Sequence, residues 1–221
     1  MTYAIAVAQR KGGVGKTTLA ISLAGELRRR RKQVGLIDTD PQESACQWAE
    51  PGNLHFPVYS LPLGEQPMST WVRKFNKVAG NHTYVVVDTA PSERSLVASI
   101  AVSNLVLVPC TPSGLDIEAT ARTLEIIEKI REHRDRQPNL IIVPNRVDAR
   151  TLEGRQLVEE LSSFGETVSQ TIGNRSAFVR AFSSGHTVAA MSDGEVARHE
   201  IELLCNLVEK CLDPKRQSSR A

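Results

Sequence analysis

Apolar residues in this chain gather into short unbroken runs instead of alternating with polar ones. "YAIAV" (3–7), "VGLID" (34–38), "YVVVD" (84–88), "LVLVP" (105–109) and "LIIVP" (140–144) are brief and rich in β-branched residues. Continuous apolar character over such short spans fits strands covered on both faces, as in a parallel sheet. Between the runs, residues 17–31, 92–102, 115–133 and 153–164 place apolar side chains at helical spacing. Strand alternating with helix predicts right-handed β-α-β units, and so an α/β fold with a doubly wound, mostly parallel sheet flanked by helices.

The later part of the chain adds a short helix in "NRSAFVRAFSSG" (174–185), stopped by glycine, and a longer one from about Glu195 to Cys211. Residues 50–67 hold Pro51, Pro57, Pro62 and Pro67, and read as an irregular excursion with one edge strand near His55–Ser60. No repeat or long linker divides the sequence. Residues 1–212 are therefore expected to form one domain, and 213–221, polar and containing Pro214, a flexible tail. A chain of 221 residues is long enough to bury one substantial core.

Composition narrows the function classes. Lys+Arg 27 against Asp+Glu 25 gives a net charge of +2, so contact with nucleic acid would need a local patch. The cysteines, Cys46, Cys110, Cys205 and Cys211, form no C-x-x-C pair and are expected to be reduced and packed as small apolar groups. Arg10 interrupts the first apolar run before it could act as a secretory leader. No run approaches the ~18 residues of a membrane span, and the expected location is cytoplasmic.

The first strand leads into "AQRKGGVGKTTLA" (8–20), a cationic glycine-rich turn that opens a helix. A phosphate-binding loop needs glycines where backbone N–H groups converge, a lysine for the outer phosphates and a hydroxyl for Mg²⁺. All must sit at a helix N-terminus, whose dipole favours anions. Gly12, Gly13, Gly15, Lys16 and Thr17 follow that order, with Arg10 where the strict pattern has its first glycine. Asp38 and Asp40 end the second strand run, and Asp88 ends the third. Carboxylates at that edge of a parallel sheet face the ligand crevice, where they can hold hydrated Mg²⁺ or orient a water. A single strand-end aspartate could equally serve as a backbone cap. Two such sites beside the loop point to a nucleoside triphosphatase.

The motifs "KGGVGKTT", "LIDTDPQ" and "VVVDTAP" resemble those of the ParA/MinD family of deviant Walker A ATPases, and D-x-D-P-Q resembles the ParA branch. "LVLVPCTPSGLDIEAT" and "PNR" extend the resemblance over nearly the whole chain. ParA proteins often lack the first Walker glycine, so Arg10 is compatible with it. The resemblance implies ATP and Mg²⁺ as cofactors, with Lys11, Gly12, Gly13, Val14, Gly15, Lys16, Thr17 and Thr18 around the phosphates. Thr17, Asp38 and Asp88 would serve the metal, Asp40 the attacking water, and Asn145 the adenine. Lys11 resembles the family's extra lysine, which reaches the partner's ATP across a sandwich homodimer, much as an arginine finger does; its alternative is a solvated loop lysine.

The same resemblance implies an ATP-dependent homodimer that binds DNA without sequence preference, a ParB-like partner that stimulates slow hydrolysis, and partition of plasmid or chromosomal DNA on the nucleoid. Arg175, Arg180 and Lys210 are the candidate DNA contacts, with Lys215 and Arg216 extending the patch; scattered solvated arginines are the plainer account. "RRRRK" (28–32) closes the first long helix, where cations meet the negative dipole end, and is expected to be structural. No helix-turn-helix precedes the first strand, so the chain is expected to resemble the small ParA proteins.

Other readings keep or change the ATPase. Relatives position carboxysomes or chemoreceptor clusters, and nothing in the sequence separates those cargos. A MinD-like membrane cycle would need a basic amphipathic C-terminal helix, whereas the last helix sets Glu200, Glu202 and Glu209 opposite its apolar stripe. An iron-protein cluster would need paired cysteines that the flanking sequences do not match. A scaffold that binds ATP without turnover is disfavoured by Asp40.

Overall fold

The computed structural model describes residues 2–135 and 137–213. The tail beyond Asp213, including Lys215 and Arg216, lies outside the described residues. Seven parallel strands form one sheet: β1 (Tyr3–Val7), β2 (Val34–Asp38), β3 (Val58–Ser60), β4 (Tyr84–Asp88), β5 (Leu105–Cys110), β6 (Asn139–Pro144) and β7 (Thr167–Val168). Their order across the sheet is β3-β2-β4-β1-β5-β6-β7, and every pairing is parallel. The helices are α1 (Lys16–Arg29), α2 (Ser44–Ala49), α3 (Met68–Ala79), α4 (Glu93–Val102), α5 (Gly114–Glu132), α6 (Leu152–Ser162), α7 (Ser176–Ser183) and α8 (Glu195–Leu212).

Both faces of the central strands are buried, as their unbroken apolar character requires. Ile5, Val7, Leu36, Val86 and Leu107 face α1, α7 and α8, meeting Leu19, Leu23, Leu27, Ala181, Leu204 and Val208. Their neighbours in sequence, Ala6, Ile37, Val85, Val87 and Val106, face Trp71 and Phe75 of α3, Leu96 of α4 and Ile127 of α5. Cys110, Ile142 and Val147 pack with Leu157 and Leu161 of α6 in a third, smaller cluster. The period-two geometry of a strand divides one apolar run between two cores.

Three elements go beyond the sequence reading. α2, α3 and β7 are absent from the expected elements, although Met68, Trp71, Val72, Phe75 and Ala79 do recur at helical spacing. α2 is only six residues long and β7 only two, too short for a period to register. The edge strand falls at Val58–Ser60, within the proline-rich excursion as expected.

The basic run is structural, through a mechanism more specific than the helix dipole. Glu26 of α1 is buried, and Arg29 and Arg30 both hydrogen-bond its carboxylate. Arg29 also reaches Glu202 of α8, while Arg30 and Lys32 reach Glu209. The acidic side of α8 is thereby tied to the end of α1, and its apolar stripe, Ile201, Leu204, Cys205, Val208 and Leu212, is buried. That stripe is not free to enter a lipid surface. No helix among the described residues is long and apolar enough to cross a membrane.

Candidate functional site

The loop between β1 and α1 is held from below by Gln9, which is fully buried. Gln9 Nε2 donates to Thr120 Oγ1 at 3.0 Å, and its Oε1 accepts from Thr123 Oγ1 at 2.6 Å and from Arg10 N–H at 2.8 Å. The sequence reading missed Gln9, because its partners on α5 are more than a hundred residues away. Gly13 and Gly15 have φ of 80° and 91°, a region where a Cβ is strained. At Gly15 a Cβ would also stand 2.5 Å from Asn145 Nδ2. Asn145 needs that closeness, since its Nδ2 donates to the Val14 carbonyl at 2.7 Å and so braces the loop from the end of β6.

The loop, α2, the strand ends and α7 enclose a cavity of about 630 Å³. That volume lies in the range of small-molecule sites, roughly 300–1,000 Å³. Gly12, Gly13, Gly15, Lys16, Thr17, Thr18, Asp40, Asp88, Asn145 and Arg175 all line it, so most of the residues singled out in the sequence converge. Arg146 lines it too, with a left-handed φ of 53°, as do Thr89 and an apolar rim of Trp48, Phe178, Val179 and Phe182. Nothing in the local sequence marks that rim; the fold folds α7 back over the loop. Trp48 of α2 meets Phe182 edge to face and donates its indole N–H to the His186 carbonyl at 2.9 Å.

Lys16 is almost fully buried at the start of α1, and its Nζ donates to the Lys11 carbonyl at 3.0 Å. Burial lowers its pKa, against the attraction of Asp88 and Asp40. Asp88 is buried at the end of β4, where desolvation raises its pKa to about 7; a hydrogen bond from Thr17 opposes the shift. A buried ammonium, a buried carboxylate and the hydroxyl that donates to that carboxylate thus line one cavity. That donor set fits a hydrated Mg²⁺ carried by phosphates, because Mg²⁺ takes few protein ligands and keeps water or phosphate oxygens.

Asp40 and Asp38 have different surroundings. Asp40 lines the cavity, its Oδ1 accepting from Gln42 N–H at 3.0 Å. Asp38 is fully buried, and its carboxylate accepts from the backbone N–H groups of Asp40, Ala45 and Cys46 at 2.9–3.3 Å. Its pKa is raised by burial, with those amides opposing. The structure thus gives Asp38 the backbone-cap geometry that a strand-end aspartate can adopt.

Lys11 is turned away from Lys16. Its ammonium pairs with Asp116, at the start of α5, and Asp116 also accepts from Thr111. Arg175 binds Glu200 through Nε and Nη2, and Arg180 pairs with Asp193. Both arginines sit on or beside α7, whereas Lys210 is near the end of α8. It lies ten residues along α8 from Glu200, or about 15 Å of helix axis. The cysteines are all free, Cys110 and Cys205 buried and Cys46 and Cys211 half-buried, as expected of packing groups. No cluster of three or more His, Cys, Asp or Glu suited to a metal occurs among the described residues.

Comparison with known proteins agrees with this geometry. Along 93% of its length the chain is 28% identical to maintenance of carboxysome distribution protein A of Halothiobacillus neapolitanus, covering 96% of that protein. It is 31% identical to the chromosome-partitioning ATPase Soj of Thermus thermophilus, over 92% of this chain and 94% of that one. The fold matches the ATP complex of a variant of Cyanothece McdA with a TM-score of 0.73, at 17% identity and 96% coverage of both chains. The profile of the CobQ/CobB/MinD/ParA nucleotide-binding domain matches residues 5–188, and the chain belongs to that family.

Proposed function

We propose that this protein is an ATP hydrolase whose Mg²⁺–ATP state forms a homodimer on non-specific DNA, in the manner of the ParA branch. The single observation that carries the reading is the convergence of Lys16, Thr17, Asp40 and Asp88 on one cavity at the N-terminus of α1. Lys16 would neutralise the β- and γ-phosphates, while the loop N–H groups and the helix dipole hold the rest of the triphosphate. Thr17 and Asp88 would hold Mg²⁺, which supplies charge neutralisation of the phosphates. Asp40, at the cavity wall on the β2 loop, would orient the attacking water.

In the dimer, Lys11 exchanges Asp116 for the partner's nucleotide, so that each copy completes the other's site. Arg180, exposed on α7, would contribute to a DNA contact, and a ParB-like protein would stimulate turnover in a DNA-partition cycle. A second reading keeps this chemistry and replaces the cargo with a protein assembly; the similarity to the Halothiobacillus protein over nearly all of both chains favours it.

Binding to random-sequence duplex DNA, measured with ATP, with ADP and without nucleotide over a salt series, tests the shared part. Binding confined to ATP and weakening steeply with salt is expected. Nucleotide-independent binding, or none at low salt, would overturn it. Loss of plasmids on gene deletion supports the partition cargo, and a scattered protein assembly with plasmids retained supports the second.

A further inference from the structure

Thr89 follows Asp88 at the end of β4 and is almost fully buried. The residues on either side of it are pinned to the β2 loop by one side chain. Thr39 Oγ1 donates to the Asp88 carbonyl at 3.0 Å and accepts from Ala90 N–H at 3.1 Å. Thr89's own N–H donates to the Val7 carbonyl at 3.3 Å, tying it to β1. Its backbone is therefore fixed, yet Thr89 Oγ1 is buried without a hydrogen-bond partner. The other buried side-chain atoms without a hydrogen-bond partner among the described residues belong to Ser99, His186 and Asp116, the last ion-paired with Lys11, and none of these residues lines the cavity. Thr89 does.

A buried hydroxyl without a partner is unfavourable, and one held at the wall of a cavity can be satisfied by a group that enters it, a bound ligand or an ordered water. Strand order indicates which part of the ligand that is. Asn145 follows β6, whereas Asp88 ends β4 and Thr89 follows it, three strand spacings or about 14 Å away. The loop after β1 lies between them. On the ATP reading above, Asp88 beside Thr89 would hold Mg²⁺ with the outer phosphates and Asp40 on the neighbouring β2 loop the attacking water, so the terminal phosphate belongs at the β4 end of the cavity.

We propose that Thr89 contacts the terminal phosphate: on binding, its side chain turns by one rotamer and donates its O–H to a γ-phosphate oxygen. The site thereby distinguishes a triphosphate from a diphosphate. The inference rests on the ATP reading above and names the residue that senses nucleotide state. The donor is neutral and the acceptor anionic, a pairing stronger than a neutral one. Thr39 holds the backbone beneath it, so little has to move other than one torsion.

The test compares wild type with Thr89→Val, which keeps the shape and removes the hydroxyl, and with Thr89→Ser, which restores it. Affinities for ATPγS and for ADP are measured by calorimetry with Mg²⁺, and unfolding temperatures without nucleotide. Thr89→Val is expected to weaken ATPγS roughly tenfold or more while leaving ADP unchanged. Thr89→Ser should recover the difference, and nucleotide-free Thr89→Val should unfold no lower than wild type. Equal ATPγS affinity in wild type and Thr89→Val overturns the proposal, as does an equal loss for both nucleotides. A Thr89→Val protein that is markedly less stable or fails to fold also overturns it, because the hydroxyl then has a structural partner. If the wild type binds neither nucleotide, the ATP reading itself falls, a result distinct from a discriminating wild type matched by its variant.

Discussion

Replacing Asp88 with asparagine should stabilise the nucleotide-free protein, and the size of the effect should depend on pH. The carboxyl titrates near 3.8 in the unfolded chain and is raised to about 7 in the fold, chiefly by burial. A folded-state pKa above the unfolded one means that the fold binds the proton more tightly. Asp88 therefore carries no penalty below about pH 3.8, an increasing one as pH rises, and its full penalty above pH 7. The gap of about three pH units corresponds to roughly 4 kcal/mol. Asparagine resembles the protonated acid and can still accept from Thr17, so Asp88→Asn removes the penalty at every pH. At pH 5 the variant should exceed wild type by about 1–2 kcal/mol, and at pH 8 by about 4 kcal/mol, with no further rise above that. Urea unfolding of both proteins in a chelating buffer from pH 5 to 8 measures the gap directly. A gap independent of pH, or a wild type more stable than the variant at pH 8, would show that Asp88 is not held in a desolvated site.

Four further outcomes follow from the geometry. Gly15→Ala places a Cβ against Asn145 at a φ of 91°, so it should destabilise the fold by about 1–3 kcal/mol and abolish nucleotide binding; a thermal melt and a nucleotide titration matching wild type would contradict this. Asp40→Ala should bind Mg²⁺–ATP but turn over about a hundredfold more slowly and accumulate as dimer by light scattering, and unchanged turnover would reject its role with the water. Lys11→Ala should keep monomer affinity for ATP, since Lys11 pairs with Asp116 in the single chain, and should fail to dimerise; dimers at wild-type concentration would exclude action in trans. Arg180→Glu, preferred to changes at the cavity-lining Arg175, should weaken duplex DNA binding and reduce its salt slope by about one, while an unaltered slope would place the DNA contact elsewhere.

The strands and long helices were readable because burial on both faces forces an unbroken apolar run, and burial of one face forces a helical period. Lys16, Thr17, Asp40 and Asp88 were readable for a related reason: phosphate chemistry demands particular residue types at strand ends and at the first turn of a helix. α3 shows a limit of pattern, since its helical period directly follows a proline-rich stretch that reads as irregular. Lys210 shows another limit. Its charge groups it with Arg175 in the sequence, and only the fold sets about 15 Å of α8 between Lys210 and Glu200, the partner of Arg175.

By itself the sequence determined the parallel α/β architecture, the phosphate loop and the carboxylates beside it, all of which follow from local composition and spacing. Tertiary structure alone decided that Asp38 caps α2, that Lys11 rests on Asp116, that Gln9 supports the loop from α5 and that Thr89 is buried without a partner. Each of these depends on which atoms the fold brings within about 3 Å, and hydrogen bonding at that range has no signature in the order of residues along the chain.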